Sequence, residues 1–252
     1  MTFFRAEDLA VEFGGIRAVE GVSFEVRPRE VFTIIGPNGA GKTTIFNVIS
    51  RIYEPSRGRL IFQDREITRV PPDRIARLGI ARTFQNIELF EHGTVLANLL
   101  TGRHVHRTTA LAEELLFLPR VRRSERRHRE KVEEIIDFLD LPKYRDSVVR
   151  SLPFGVRKVV ELGRALALEP TLLLLDEPSS GLNVEETDDM AFWIEDIQKL
   201  RGITVLMVEH DMRLVSRVSD RVIALDYGRV IAEGTADQVQ RHPDVVKAYL
   251  GG

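Results

Sequence analysis

The sequence GPNGAGKT at residues 36–43 decides how this chain folds. It follows a short run of β-branched and aromatic residues, VFTII at 31–35, and precedes apolar residues at helical spacing within 45–49. This order predicts a buried strand, a glycine-rich turn and a helix. The pattern G-x-x-x-x-G-K-[ST] between a strand and a helix is that of a phosphate-binding loop.

The residue types in this loop explain how it would hold phosphate groups. Glycines let backbone N–H groups turn towards an anion, and the helix presents the positive end of its dipole. Lys42 can reach the β- and γ-phosphate oxygens, and the Thr43 hydroxyl can coordinate Mg²⁺. An incidental lysine in a glycine-rich turn is the alternative interpretation. The predicted nucleotide contacts here are Gly36, Pro37, Asn38, Gly39, Ala40, Gly41, Lys42, Thr43 and Thr44.

Two adjacent carboxylates follow a second apolar run, four leucines at 172–175. At the end of a buried strand, Asp176 is predicted to hold Mg²⁺ and Glu177 to act as the general base on an attacking water. Taken alone, such a strand end is more often a solvated turn. The phosphate loop in the same chain favours the catalytic interpretation.

The remaining pattern indicates an α/β core with an insertion. A third apolar run at 203–208 adds another buried strand, so a mostly parallel sheet is expected. Between about residues 90 and 168 strand-like runs are absent, and apolar residues recur at helical spacing within 132–139 behind Ser124, a possible helix cap. We therefore predict a helical insertion there.

Composition narrows the class of protein. The 252 residues are 43% hydrophobic, and 36 basic against 38 acidic residues give a net charge of −2, which argues against a surface built for nucleic acid. The absence of cysteine excludes disulfides and fits a reducing compartment. With no secretory signal and no apolar stretch of about 20 residues, any membrane contact is expected to come through partners.

Five stretches in this order resemble the ABC ATPases: the phosphate loop, RTFQ at 82–85, LPFGV at 152–156, Asp176-Glu177 and VEHD at 208–211. The resemblance implies a P-loop NTPase core with an N-terminal antiparallel β subdomain and an inserted helical subdomain. It implies one ABC ATPase domain, residues 1–252, with 1–89 and 169–252 as the nucleotide-binding core and 90–168 as the helical subdomain.

The resemblance also assigns roles, with ATP and Mg²⁺ as the implied cofactors. Gln85 would sense Mg²⁺ and the lytic water, and His210 would contact the γ-phosphate and orient the water of Glu177. Phe13 would stack on adenine, although a core phenylalanine is the alternative.

One stretch departs from the family pattern. Where the family usually has Leu-Ser-Gly-Gly-Gln, which clasps the ATP of a partner subunit, this chain has Pro153 for serine, Phe154 for the first glycine and Val156 for glutamine. Proline has neither a hydroxyl nor an N–H, so two donors are lost. A weaker clasp is expected.

Three further stretches resemble the ATPases of branched-chain (hydrophobic) amino-acid importers: TIFN at 44–47, residues 75–85, and the tail from 228 to 251. Such systems imply a second ABC ATPase subunit, two transmembrane permeases and a periplasmic or extracellular solute-binding protein, with no nucleic acid. The expected location is the cytoplasmic face of the inner membrane. The two ATPase subunits would form a heterodimer or a homodimer. Residues 86–90 are candidates for the permease contact.

Competing interpretations stay open at this point. A soluble ABC ATPase of DNA repair or translation control would share the nucleotide chemistry, and a regulatory module without catalysis is conceivable because of Pro153. The basic run at 120–131 is either a solvated helix face or a contact for anionic lipid headgroups. The transported substrate is set by proteins that this chain does not contain.

Overall fold

The computed structural model describes residues 2–107 and 119–250. The chain divides into two compact units, residues 1–85 with 171–252, and residues 86–170. We call them the sheet unit and the helical unit.

The sheet unit contains two β-sheets. The strands are β1 (Phe4–Phe13), β2 (Ile16–Val26), β3 (Val31–Ile35), β4 (Arg57–Phe62), β5 (Arg65–Glu66), β6 (Ile80–Arg82), β7 (Leu172–Asp176), β8 (Thr204–Val208), β9 (Arg221–Asp226) and β10 (Arg229–Gly234). One sheet is antiparallel, in the order β2-β1-β4-β5, and the other has the order β10-β9-β3-β8-β7-β6. In the second sheet only β10 runs antiparallel to its neighbour. The predicted fold class is confirmed.

The sheet unit also contains helices. They are α1 (Lys42–Ile49), α2 (Pro72–Ile75), α6 (Val184–Arg201), α7 (Met212–Val218), α8 (Ala236–Gln240) and α9 (Pro243–Leu250). One buried cluster joins the antiparallel sheet through Phe4 and Leu9, β3 through Ile34, and α1 through Ile45 and Phe46. The core therefore fixes α1, and with it the loop at 36–43, against both sheets.

The helical unit contains α3 (Val95–Gly102), α4 (Pro119–Phe138) and α5 (Phe154–Leu166), with short 3₁₀ turns between them. Its described residues include one isolated β-bridge, Thr94 to Val148, and no strand. Helices α3 and α5 meet closely at Gly102, where an added Cβ would lie 2.4 Å from the Arg164 carbonyl oxygen. Among the described residues, no helix of either unit is long and apolar enough to cross a bilayer.

The prediction of Ser124 as a helix cap is wrong. Helix α4 already begins at Pro119, so Ser124 lies inside it, and its Oγ faces Nε2 of His128, one turn further on, at 3.2 Å. The arginines and glutamates around Ser124 are good helix formers, and nothing there interrupts the helix.

Candidate nucleotide-binding site

The loop at 36–43 leaves the centre of the parallel sheet. In the register of the sheet, Ile34 of β3 lies beside Val208 of β8, which lies beside Asp176 of β7. Because parallel strands end at the same edge, the loop, Glu177 and the turn at 209–211 meet there. The strand order thus assembles three segments that are far apart in the sequence.

Glycine is required at two loop positions by close approach. A Cβ on Gly36 would lie 2.3 Å from the Leu225 carbonyl oxygen, and one on Gly41 would lie 2.5 Å from that of Ala18. Gly41 also has a backbone φ of 99°, which residues with a Cβ rarely adopt. Neighbouring strands therefore hold the loop in shape from outside.

Lys42 is drawn into the loop. Its side chain is buried, and Nζ donates to the carbonyl oxygens of Gly36 at 2.7 Å and Pro37 at 3.0 Å. Burial lowers the pKa of Lys42, and the charges of Glu177 and Asp176 oppose that shift. The loop thus holds an ammonium group with two of its three donors already directed by carbonyl oxygens.

Glu177 lies just beyond β7 in a left-handed conformation, φ 48°. Its Oε2 accepts a hydrogen bond from Gln85 Nε2 at 2.9 Å and lies 3.7 Å from Nδ1 of His210. A non-glycine residue at positive φ is unusual and tends to occur at functional sites. The structure therefore brings the three predicted catalytic side chains together on one carboxylate oxygen.

Asp176 has two oxygens in different situations. Oδ2 pairs with Nη2 of Arg82 at 2.7 Å, whereas Oδ1 is buried without a hydrogen-bond partner. The described residues contain no cluster of three or more His, Asp, Glu or Cys side chains arranged for a metal. Mg²⁺ bound with nucleotide needs only one or two protein carboxylates, and an open buried oxygen fits that need. Thr43, the other residue predicted to coordinate Mg²⁺, is the second residue of α1 and follows Lys42 directly.

Phe13 ends β1 with 44% of its surface exposed, and its ring meets Tyr53 edge-on, with centroids 5.1 Å apart. This exposure contradicts the alternative of a core phenylalanine. Stacking on adenine stays a prediction.

Sequence reasoning missed the role of Glu209. This fully buried carboxylate accepts four hydrogen bonds, from the amide and hydroxyl of Ser179 and from the amides of His210 and Asp211. It ties the turn after β8 to the loop before α6. An acidic residue at the end of an apolar run was the available signal, but only the fold supplies its donors.

Asn183 is the N-cap of α6. Its Oδ1 accepts from the Glu186 amide at 3.0 Å, and the Glu186 carboxylate accepts from the Asn183 amide at 2.9 Å. This reciprocal pair begins α6 as a capping box.

The C-terminal helix α9 lies beside the start of the loop. The Gly36 amide hydrogen-bonds to the hydroxyl of Tyr249, and burial raises the pKa of that tyrosine. Beside this contact is a cleft of about 480 Å³, lined by residues 37–40 and by Tyr227, Asp244 and Lys247. The tail thus contacts the loop that it follows by some two hundred positions in sequence.

Comparisons with known proteins agree with this geometry. Residues 19–180 match the family model described as ABC transporter, and residues 229–252 match one described as branched-chain amino acid ATP-binding cassette transporter. BraF of Pseudomonas aeruginosa, a high-affinity branched-chain amino acid transport ATP-binding protein, is 40% identical over 96% of this chain and 95% of its own length. LivG of Escherichia coli, with the same description, is 37% identical over the same shares.

A solved structure shows the same likeness in three dimensions. The ADP conformation of MJ1267, an ATP-binding cassette of an ABC transporter, is 32% identical, covers all of both chains and has a TM-score of 0.86. This chain therefore belongs to the ABC transporter family and is one of its ATPase subunits.

Proposed function

We propose that this ATPase powers the uptake of branched-chain or related hydrophobic amino acids through separate permease subunits. The observation that supports this substrate class is the 40% identity to BraF over nearly the whole of both chains. The match of the tail at 229–252 to a branched-chain amino acid transporter model supports it independently of the phosphate loop.

The side chains at the edge of the sheet suit hydrolysis of the γ-phosphate. Residues 36–44 would bind the phosphates through backbone N–H groups, Lys42 would contact the β- and γ-phosphates, and Phe13 would stack on the adenine. Thr43 and Asp176 would hold Mg²⁺, with Gln85 contributing, and the bound ion would neutralise phosphate charge.

In this proposal Glu177 would take the proton of the attacking water. Gln85 holds its Oε2, and His210, whose side chain is 57% exposed, lies on the open side of the same oxygen. In this scheme water attacks the γ-phosphorus, the bond to the β-phosphate oxygen breaks, and ADP and phosphate leave.

The segment at 152–156 supports an asymmetric assembly. Pro153 is the N-cap of α5 and offers no side-chain hydrogen bond, and Phe154 and Val156 replace the usual glycine and glutamine. We propose a heterodimer in which a different ATPase supplies a complete clasp to this phosphate loop, two permeases span the membrane, and a solute-binding protein delivers the substrate. The chain would then lie at the cytoplasmic face of the membrane, held by the permeases.

Purification of the tagged chain from membranes tests this assembly. We expect two permeases and a second ATPase to copurify, and the associated binding protein to bind leucine, isoleucine or valine. Cells lacking the chain should lose uptake of radiolabelled leucine and regain it with the wild-type chain but not with Glu177→Gln. Copurification with ribosomes or DNA, or unchanged uptake, would contradict the proposal.

A further inference from the structure

Arg82, the last residue of β6, has no role in the scheme above. Its side chain is 8% exposed, and Nη2 lies 2.7 Å from Oδ2 of Asp176, whose side chain is 3% exposed. A buried ion pair of this kind is costly to form because both charges leave water, so it is weak evidence for stability alone.

The guanidinium of Arg82 is fixed from several sides. Nη1 donates to Oδ1 of Asn47 at 2.8 Å and to Oγ of Ser50 at 3.0 Å. Its central carbon lies 5.6 Å from the ring centroid of Phe46 and 5.2 Å from that of Phe84. Asn47 and Phe46 belong to α1, which continues from the phosphate loop. These contacts fix the position of the charge beside α1.

Arg82 engages only one oxygen of Asp176. Oδ2 receives the guanidinium, whereas Oδ1 is buried with no partner. Leaving a buried acceptor without a hydrogen bond is unfavourable, and a bound ion is one of the explanations for such a group in a native structure. The arginine thus orients the carboxylate and leaves a single buried oxygen, Oδ1, without a hydrogen-bond partner.

We propose that Arg82 is a positioning residue that sets the affinity of the nucleotide site for its divalent cation. It holds Asp176 with Oδ1 open to the cation, and its positive charge opposes cation binding through the shared carboxylate. The inference rests on the proposed role of Asp176. It adds that the segment at 82–85 contacts both carboxylates at the end of β7, because Arg82 holds Asp176 and Gln85 holds Glu177.

Binding of a fluorescent ADP analogue to the purified full-length chain tests this, measured with Mg²⁺ and with EDTA. In Arg82→Gln, lost repulsion should strengthen cation binding, and the unpaired Asp176 charge should weaken metal-free nucleotide binding. We expect the ratio of affinities, with Mg²⁺ over with EDTA, to rise about ten-fold. Arg82→Lys retains the charge and should restore a ratio close to the wild type.

Arg51→Gln is the matched control. Arg51 is also buried in the sheet unit, where it donates to the carbonyl oxygens of Val70 and Tyr53 and pairs with Glu54 at 3.1 Å. Its loss should lower the melting temperature and leave the affinity ratio unchanged. A purely structural role for Arg82 would give the same result in Arg82→Gln.

A second variant tests the inference in case Arg82→Gln does not fold. Asn47→Asp puts a carboxylate at Nη1 of Arg82, offsets its charge and keeps the arginine, so the ratio should again rise. A ratio that is unchanged or lower in both folded variants, or an equal rise in Arg51→Gln, overturns the inference. A wild-type chain that binds no nucleotide would instead refute the proposed function.

Discussion

The phosphate loop and the segment at 152–156 belong to the same family pattern, yet they are equipped differently. The loop directs Lys42 with two carbonyl oxygens and is held in shape by close approach at Gly36 and Gly41. In the segment at 152–156, Pro153 is the N-cap of α5, and its side chain makes no capping hydrogen bond. In the proposed assembly, this chain would bind its own ATP with a full set of donors and would offer fewer donors to the ATP of its partner.

The largest effect is expected for Glu177, the proposed general base beside the phosphate loop. Glu177→Gln retains an acceptor for Gln85 but cannot take a proton from water, so hydrolysis by the assembled transporter should fall about 1,000-fold. Binding of a fluorescent ATP analogue should stay near the wild type. Glu185→Gln, an exposed change at the start of α6, is the control. Unchanged turnover in Glu177→Gln would mean that the working site lies in the partner.

Lys42→Ala tests the phosphate loop itself. Removing a buried ammonium that contacts phosphates should weaken ATP binding about 100-fold, since charge-assisted hydrogen bonds are the strong ones. Equilibrium fluorescence titration measures this. Lys247→Ala, an exposed lysine that lines the neighbouring cleft, should change affinity little. Equal losses in the two variants would indicate a general electrostatic effect and not a phosphate contact.

Pro153→Ser restores part of the clasp. In the assembled transporter we expect hydrolysis to rise about two-fold, because one further site becomes competent beside one that already works. The serine can also cap α5, which adds about 1 kcal/mol of unfolding free energy, partly offset by the more flexible unfolded chain. Pro142→Ser, an exposed proline of the same unit, controls for that flexibility. A fall in turnover would show that Pro153 is functional.

The smallest effect is expected on α4. The change of Arg126, Arg127 and Arg129 to glutamine removes exposed charges, and surface changes usually alter stability by less than about 0.5 kcal/mol. Urea unfolding checks this, with Arg69, Arg74 and Arg77, exposed arginines of the sheet unit, as the matched set. Weaker sedimentation with anionic vesicles for the α4 set alone would favour the lipid interpretation over a solvated face.

Local patterns predicted much of the sheet unit correctly. β3, α1, β7 and β8 follow from apolar runs and from the glycine-rich turn, because each is specified by its own residues. The cap at Ser124 was wrong because the basic residues around it continue the helix in both directions. A cap residue in sequence is only a cap where a helix begins.

Long-range partners could not be predicted in this way. Glu209 binds Ser179, and Arg82 binds Asp176, across long separations in the chain. Neither residue differs in type from many solvated ones. Only the register of β6, β7 and β8 decides which buried charges meet.

By itself, the sequence determined a G-x-x-x-x-G-K-T stretch between a strand and a helix, two adjacent carboxylates after an apolar run, and a segment at 152–156 that departs from the family pattern. These features depend on residue type and local spacing. Only the tertiary structure gave the contacts that Gln85 and His210 make with one oxygen of Glu177, and the pairing of Arg82 with one oxygen of Asp176 that leaves the other without a partner. The physical reason is that parallel pairing brings the ends of distant strands to one edge of the sheet. There, burial lowers the local dielectric constant and strengthens each polar contact.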